Sequence, residues 1–255
     1  MKSGAELINP YDNERDKGEQ IEEMFDSIAP AYDFMNTAMS FGLHRNWRSR
    51  ALKAVTKSMQ GHNPGAILDI ATGTGDVAFD LQRRFPDSTV TGIDLSENML
   101  EEARKKLEKR DENAKKRINF EKGDSLNLRF GENSFDLVTV AYGVRNFEHL
   151  DKGLSEMSRV LRDNGRICII ELSEPTFPLN RALYRFYSRY IIPFIGRIVS
   201  GDSRAYSYLP ESIAAAPQRE RLTKLMNEAG FEDCSWKSLT MGVVTYYIGV
   251  KKEKR

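Results

Sequence analysis

Cysteine is scarce. The 255-residue chain has two, Cys168 and Cys234. They lie far apart and form no metal-ligand spacing, so they read as reduced thiols of a cytosolic protein. Charge of one sign is lacking too. With 38 basic and 37 acidic residues the net charge is +1, and no nucleic-acid partner is expected without a basic excess. There is no long apolar run. The richest stretch, residues 190–199, is broken by Pro193 and Arg197 and is about half of the ~20 residues a membrane span needs. Met1 to Asp16 is polar, with no apolar core of signal-peptide type, and residues 1–18 are expected to fray. No repeat or low-complexity block interrupts the chain. The 40% apolar and 29% charged content excludes a disordered chain and suits one large α/β unit.

The hydrophobic pattern changes period along the chain. From Glu19, apolar Ile21, Met24, Phe25 and Ile28 recur at helical spacing until Pro30. A second helix is expected over 43–59, followed by the break Gly61, Asn63, Pro64 and Gly65. Short apolar runs then alternate with helical patterns. Strands are expected at 66–70, 89–93, 117–122, 135–141 and 166–172, with helices at 76–84, 96–109 and 150–161. That alternation means βαβ units and a parallel sheet covered on both faces. Two strand-like runs, 234–239 and 243–250, then follow a helix over 219–229. Their gap allows a hairpin but not a crossover helix. The reading is therefore α/β, a Rossmann-like seven-stranded sheet with a reversed last strand, the layout of a class I methyltransferase. The whole chain reads as one domain. It has a helical N-terminal cap (19–60), a cofactor-binding core (61–174), a helical lid insertion (175–210) and a C-terminal helix and hairpin (211–250).

The candidate cofactor site begins at Asp69-Ile70-Ala71-Thr72-Gly73-Thr74-Gly75-Asp76, between the first strand and its helix. Gly73 and Gly75 permit a tight turn and close approach of a ligand. Gly73-x-Gly75-x-x-Ala78 also fits a dinucleotide fingerprint. A dinucleotide sets its pyrophosphate at the helix N-terminus. Carboxylates at Asp69 and Asp76 would repel it there and favour the ammonium and sulfonium of S-adenosylmethionine. Asp94 ends the second strand, where an acid accepts from ribose hydroxyls of either nucleotide. Met99 is placed to lie on an adenine. Gly123-Asp124-Ser125 ends the third strand, with Asp124 and the Ser125 amide as candidate adenine contacts.

Further segments carry a resemblance. Tyr32-Asp33-Phe34-Met35-Asn36 with Ser40, His44 and Trp47, then Ala141-Tyr142-Gly143-Val144-Arg145-Asn146, then Arg159-Val160-Leu161 with Glu171-Leu172-Ser173, resemble the ubiquinone/menaquinone C-methyltransferase family. Asp202, Tyr206, Tyr208, Leu209, Glu211, Ser212 and Ile213 also look like family residues. The likeness spans roughly residues 20–250. It implies S-adenosylmethionine as cofactor, contacted by Thr74, Asp94, Asp124 and Ser125. It implies a lipid quinol as substrate, methylated on a ring carbon without a metal. Ala141 stands where some relatives have serine, which removes one cofactor contact. Arg162-Asp163-Asn164-Gly165 replaces the family's Lys-Pro-Gly-Gly in a surface turn.

Ring methylation needs a phenolate, and a phenol titrates near ~10, so the site must favour the anion. Arg145 is expected to do this as a fixed positive charge, since guanidinium does not give up its proton. Asn146 is expected to orient the hydroxyl or a water. His44, Asp33 and Tyr32 are the candidates for proton acceptor. Residues 175–201 contain no acid but include Arg181, Arg185, Arg189 and Arg197 among aromatic residues such as Phe177, Tyr184 and Phe194. This segment is expected to act as a lid, with peripheral contact to an anionic membrane face. A homodimer contact is the alternative use of the same surface. Other readings of the chain are a methyltransferase for another phenol, an NAD-dependent oxidoreductase, and a cofactor-binding partner protein without catalysis.

Overall fold

The computed structural model describes residues 4–191 and 203–253. Three helices come first: α1 (Lys17–Ile28), α2 (Tyr32–Ser40) and α3 (Leu43–Ser58). The core then alternates β1 (Ala66–Ile70), α4 (Asp76–Arg84), β2 (Thr89–Asp94), α5 (Glu97–Glu108), α6 (Glu112–Arg117), β3 (Ile118–Lys122), β4 (Phe135–Ala141), α7 (Leu150–Val160) and β5 (Leu161–Leu172). Helix α8 (Pro178–Phe186) and a π-helical turn Tyr187–Ile191 follow. After the undescribed stretch come helices Ser203–Ala215 and Glu220–Glu228, then β6 (Phe231–Leu239) and β7 (Val244–Lys251).

The seven strands form one sheet in the order β3-β2-β1-β4-β5-β7-β6. β1 to β5 pair in parallel, whereas β7 runs antiparallel to both β5 and β6. The reversed strand is thus inserted between β5 and the edge strand β6. The hairpin turn Thr240-Met241-Gly242 has three successive positive φ angles of 47°, 55° and 102°, a tight reversal that leaves no room for a crossover.

Strand side chains alternate between two apolar layers, as the two-residue pleat requires. Ile67, Leu137 and Cys168 face the layer that holds α3, α4 and α5 residues such as Leu52, Leu81 and Leu100. Leu68, Val138 and Ile169 face α7 and the helix Glu220–Glu228 through Leu154, Met157 and Met226. Each such fully buried aliphatic side chain contributes about 1.5–3 kcal/mol relative to exposure. A third cluster, Ile21, Met24, Ile28, Met35, Met99 and Tyr208, fastens the N-terminal helices over one end of the sheet.

The start of the chain departs from its expected fraying. Ala5 and Glu6 are buried. Glu6 accepts the Leu150 amide at 2.7 Å, capping α7, and the buried Lys17 ammonium donates to the Ala5 carbonyl at 2.5 Å. Polarity alone cannot separate a solvated tail from one whose polar groups find buried partners. Pro30 ends that first helix as expected, α1 stopping at Ile28. It sits at the start of a 3-10 turn, Ala29–Ala31, that redirects the chain into α2. Phe194, Arg197 and Asp202 lie outside the described residues.

Candidate active site

The chain builds β1, β2 and β3 outward, then returns to place β4 on the other side of β1. The crevice beyond the carboxyl ends of β1 and β4 is therefore the topological switch point, where open α/β sheets bind ligands. A cavity of about 150 Å³ opens there. It is lined by Ala71 and Gly73 after β1, Asp94 and Leu95 after β2, Gly123, Asp124 and Ser125 after β3, and Ala141 to Gly143 after β4. Met99 and Leu126 supply apolar wall, and Tyr32 and Phe25 close it from the N-terminal helices.

The Gly73 loop is held by its own backbone. The Thr72 amide donates to the Ile93 carbonyl at 2.9 Å, and the Gly75 amide to the Thr72 carbonyl at 3.0 Å. The Gly73 amide donates to Asp94 Oδ2 at 2.7 Å, and the Ser96 amide to Asp94 Oδ1 at 3.0 Å. Asp94 thus keeps unused lone pairs on a fixed carboxylate facing the cavity. Burial, against those amide contacts, pushes its pKa up to about 6. Asp124 is anchored in the same manner, its Oδ1 accepting the Leu126 amide at 2.8 Å. At Gly75, φ is +81° and a Cβ would come within 2.6 Å of the Phe120 ring, so this glycine serves packing behind the loop rather than the ligand face.

Two expected acids do not reach this cavity. Asp69 is fully buried behind the loop and accepts the Thr72 and Thr139 hydroxyls, each at 2.6 Å. Burial raises its pKa to about 6, with both hydroxyls opposing the rise. It braces the loop. Asp76 is paired with Lys106 at 2.9 Å and with Arg48 at 3.2 Å. Burial opposes its charge, but those two cations hold its pKa below the ordinary value. The local repulsion expected from Asp69 and Asp76 is therefore absent. The electrostatic conclusion survives on other residues. Glu22, Asp94, Asp124 and Glu148 line the cavity, and no lysine or arginine does among the described residues. Such walls oppose a pyrophosphate and suit a ligand bearing positive charge.

A second, larger cavity of about 320 Å³ adjoins the first. Tyr32, Ala71, Gly73, Ala141 and Tyr142 line both. Its wall is mainly apolar, with Met24, Met35, Met39, Leu43, Trp47 and Ile213, and besides several tyrosines it carries Asp33, Asp76, His44, Arg48 and Arg145. Thr74 belongs to this cavity and not to the first. Its hydroxyl donates to Asp33 at 2.6 Å and accepts from Lys106 at 2.9 Å. Asp33 also pairs with Lys106 at 2.5 Å. Asp33 and Thr74 therefore tie α2 to the glycine loop, which leaves Asp33 a poor candidate for a free base.

His44 is buried, with Nδ1 at 2.7 Å from Ser40 Oγ. That hydroxyl donates to the Asn36 carbonyl at 2.5 Å, so it accepts from His44 and assigns the proton to Nδ1. Burial, then Arg48, lowers the His44 pKa. The ring is neutral near pH 7 with Nε2 as its acceptor.

Arg145 departs from the role of a free positive charge. It is buried against Glu171, Nη1 to Oε1 2.9 Å, and Nη1 also donates to the Tyr142 carbonyl. Burial opposes its charge, and Glu171 together with Tyr32 and Tyr208 more than restores it. The pair is neutral as a unit, and the Arg145 Nε–H is buried without a hydrogen-bond partner. Asn146 accepts the Tyr208 hydroxyl at 3.2 Å and lines the smaller cavity. Tyr32 stands between the two cavities, its phenol raised by burial. Arg48 and Lys106 were not legible as site residues. Arg48 lies one turn beyond His44 on the same helix face, which is a usable signal. Lys106 reaches the loop from α5 across 30 residues of sequence, and no local pattern announces that.

The model of the ubiE/COQ5 methyltransferase family matches residues 13–251. The chain belongs to that family. It is 46% identical over 248 residues to the demethylmenaquinone methyltransferase of Porphyromonas gingivalis, covering 96% of this chain and 98% of the relative. It is 42% identical to the ubiquinone/menaquinone biosynthesis C-methyltransferase of Geotalea daltonii, covering 92% and 98%. Among solved structures, the [4+2]-cyclase SpnF superposes with a TM-score of 0.68 at 14% identity, covering 93% of this chain and 97% of that one. Haemonchus contortus phosphoethanolamine N-methyltransferase 2, in complex with S-adenosyl-L-methionine, superposes with a TM-score of 0.58 at 18% identity, covering 80% and 53%. A cyclase and a methyltransferase on one fold show that the architecture alone does not decide the reaction. Family membership does: this chain is a methyltransferase and its cofactor is S-adenosylmethionine. The lining of the smaller cavity has the chemistry that group needs: the acids Asp94 and Asp124, which would accept hydroxyl and amine donors, with Ser125 and the apolar Met99 beside them.

Proposed function

We propose that the enzyme methylates a ring carbon of a polyprenyl quinol, with a demethylmenaquinol as the preferred substrate. The observation that carries this is the apolar cavity joined to the cofactor cavity through Tyr32, Ala71 and Tyr142. A flat ring at that junction meets a methyl donor on one side and apolar wall for its tail on the other. The name of the relative at 46% identity, a demethylmenaquinone methyltransferase, favours the naphthoquinol.

S-adenosylmethionine supplies an electrophilic methyl on a sulfonium sulfur. On the protein's side, His44 Nε2 takes the proton of a ring hydroxyl, directly or through water. The adjacent ring carbon then forms the new bond as the sulfur–methyl bond breaks and its electron pair returns to sulfur. Loss of the hydrogen on that carbon as a proton restores the aromatic ring. Ser40 fixes the His44 tautomer for this task. Tyr32 and the apolar walls exclude bulk water.

A lipid quinol resides in a bilayer, and our reading has α8 meet that surface from the cytoplasmic side. Among the described residues no helix is long and apolar enough to cross a membrane. Supporting the contact, Phe41, Phe177, Leu179, Leu183 and Phe186 are all at least 60% exposed. Phe41 and Tyr187 lie together at 6.4 Å, and the Tyr187 hydroxyl donates to the Met39 carbonyl at 2.8 Å, next to the larger cavity. Arg181 and Arg185 share the segment and suit anionic headgroups.

The test is turnover of purified enzyme with S-adenosylmethionine and either reduced demethylmenaquinone or a reduced polyprenyl benzoquinone, followed by mass spectrometry of the lipid. Faster methylation of the naphthoquinol supports the proposal. Methylation of neither quinol would overturn it. Co-sedimentation with anionic vesicles, lost in the Phe41→Ser, Leu183→Ser double variant, tests the membrane contact. A variant that sediments as well as wild type, or a stable dimer buried through this face, refutes it.

A further inference from the structure

The larger cavity is closed at one end and open at the other. Its inner end is the junction with the cofactor cavity at Tyr32, Ala71 and Tyr142. Among its described lining residues, Phe41, Leu43 and Thr240 alone are exposed. Phe41 and Leu43 flank the turn between α2 and α3, and Thr240 begins the β6–β7 hairpin turn. The Trp47 indole of α3 donates to Thr240 Oγ1 at 2.7 Å and holds the two turns together. Tyr184 of α8 and Tyr187 of the π-helical turn line the same cavity. These residues mark one mouth.

The mouth is apolar. Phe41 is 80% exposed, Leu43 44%, and Met241, next to Thr240, 70%. Phe41 closes α2 in the left-handed region at φ +50°, a place that helices usually give to glycine. Gly42 follows at φ +75°. Two left-handed residues in succession leave the Phe41 ring outside, 6.4 Å from the Tyr187 ring. A non-glycine residue held in this region costs free energy, and such strain clusters at ligand clamps. Inside, Met24, Met35 and Met39 offer unbranched side chains that adapt to a flexible ligand. A volume of about 320 Å³ stands at the lower end of small-molecule sites, roughly 300–1,000 Å³. It suits a bicyclic ring and the first part of a tail, and the rest of a polyprenyl chain has to leave.

We propose that Phe41, Leu43 and Thr240, with Tyr184 and Tyr187 opposite them, form the portal through which the prenyl tail of the quinol leaves the larger cavity. The inference rests on the quinol reading above and adds to it the route of the tail. The ring enters first and stops at the cofactor junction, and the tail trails out past Phe41. Phe41 also belongs to the face assigned to the membrane, so the tail passes from bilayer to cavity without crossing water. Contacts between tail and portal are the same in the ground state and the transition state. They therefore act on KM rather than kcat, and they select long-tailed quinols over short ones.

The experiment uses the full chain with Leu43→Cys in a Cys234→Ser background, Cys168 being buried. A bulky maleimide on the new thiol is the plug. The substrates are a demethylmenaquinol with a single prenyl unit and one with a long polyprenyl tail, both in detergent micelles so that no bilayer takes part. The plug is expected to lower kcat/KM for the long-tailed quinol by at least roughly tenfold relative to the single-prenyl one, through KM. The same label on Phe34→Cys, at a position 63% exposed on α2 that lines neither cavity, should leave the ratio as in wild type. A long-tailed quinone bound with S-adenosylhomocysteine should slow the labelling of Leu43→Cys, and the single-prenyl quinone should not. A plug that affects both quinols equally, or neither, would overturn the portal and leave the quinol reading standing. Methylation of neither quinol by unlabelled wild type would overturn the quinol reading, and the portal with it.

Discussion

Replacing Glu171 by glutamine leaves Arg145 as a buried cation with its counter-ion gone. Arg145 is 7% exposed and Glu171 3%, and the two meet at 2.9 Å. Glu171 also accepts the amides of Arg145 at 3.2 Å and Leu172 at 2.8 Å, and one glutamine oxygen must now serve positions that two carboxylate oxygens served. Breaking a buried pair by removing one charge costs about 3–5 kcal/mol. Whole domains are stable by only about 5–15 kcal/mol. For a chain of this size each kcal/mol moves the thermal midpoint by about 2–4 °C, so Glu171→Gln is expected to melt roughly 6–20 °C below wild type. Thermal denaturation followed by circular dichroism measures it, alongside the Glu171→Leu, Arg145→Leu double variant. The double variant removes both charges and should recover most of the loss, because an apolar replacement of a buried pair is often neutral in stability. High salt should change neither result, since buried charges are poorly screened. A Glu171→Gln midpoint within about 2 °C of wild type would mean that Arg145 is solvated after all, and the account of a neutral buried pair would fall with it.

Cofactor affinity should depend on pH through Asp94. Its folded-state pKa of about 6 lies above the ordinary 3.8, so the free protein protonates it as pH falls through 6, and ribose hydroxyls donate best to the ionised form. Calorimetric titration with S-adenosylmethionine should show tight binding at pH 8 that weakens below pH 6, and Asp94→Asn should weaken it by about 1.5–3 kcal/mol and remove the pH dependence. Stability runs with the opposite sign. A raised carboxyl contributes fully below 3.8 and its contribution is lost as pH rises through about 6, so cofactor-free Asp94→Asn should not lose stability at pH 8. Gly143→Ala places a Cβ 2.7 Å from Ala71 and 3.0 Å from Val140; overpacking of about 1–3 kcal/mol and a shifted cofactor loop should appear as a lower thermal midpoint and weaker binding together. His44→Asn should reduce kcat by roughly 10²–10⁴-fold and abolish the rising limb of the pH–rate profile. Ser40→Ala should lower kcat less, because the ring remains and only its tautomer is released; a Ser40→Ala enzyme as impaired as His44→Asn would assign the proton transfer elsewhere.

The parts of the site that were readable lie at the carboxyl ends of strands. Gly73, Asp94 and Asp124 each end or follow a parallel strand, and the βαβ pattern alone brings such positions to one crevice. The misplaced acids show the limit. Asp69 and Asp76 occupy positions that suggest ligand contact, yet one turns inward to Thr72 and Thr139 and the other is neutralised by Lys106 and Arg48. Whether a carboxylate faces a cavity or a cation depends on side chains from other helices, and no local spacing encodes that. The short apolar strands were readable in type because their residues are β-branched or aliphatic and bounded by turns. The buried N-terminal residues were not, because Glu6 and Lys17 look like any solvated polar pair until Leu150 and Ala5 are brought to them.

The sequence by itself determined the class of fold, the order of its strands along the chain, the hairpin that reverses β7, and the motifs that mark a methyltransferase. Those features rest on local rules: periodicity, turn residues and the length of a connection. Only the tertiary structure decided which charges remain available. Folding paired Arg145 with Glu171 and Asp33 with Lys106, set His44 Nδ1 against the Ser40 hydroxyl, and buried Tyr142 Oη and Arg145 Nε without partners. The reason is physical. A charge or donor acquires its chemical role from the groups within a few ångströms of it, and in this chain those groups come from helices and strands far apart in sequence.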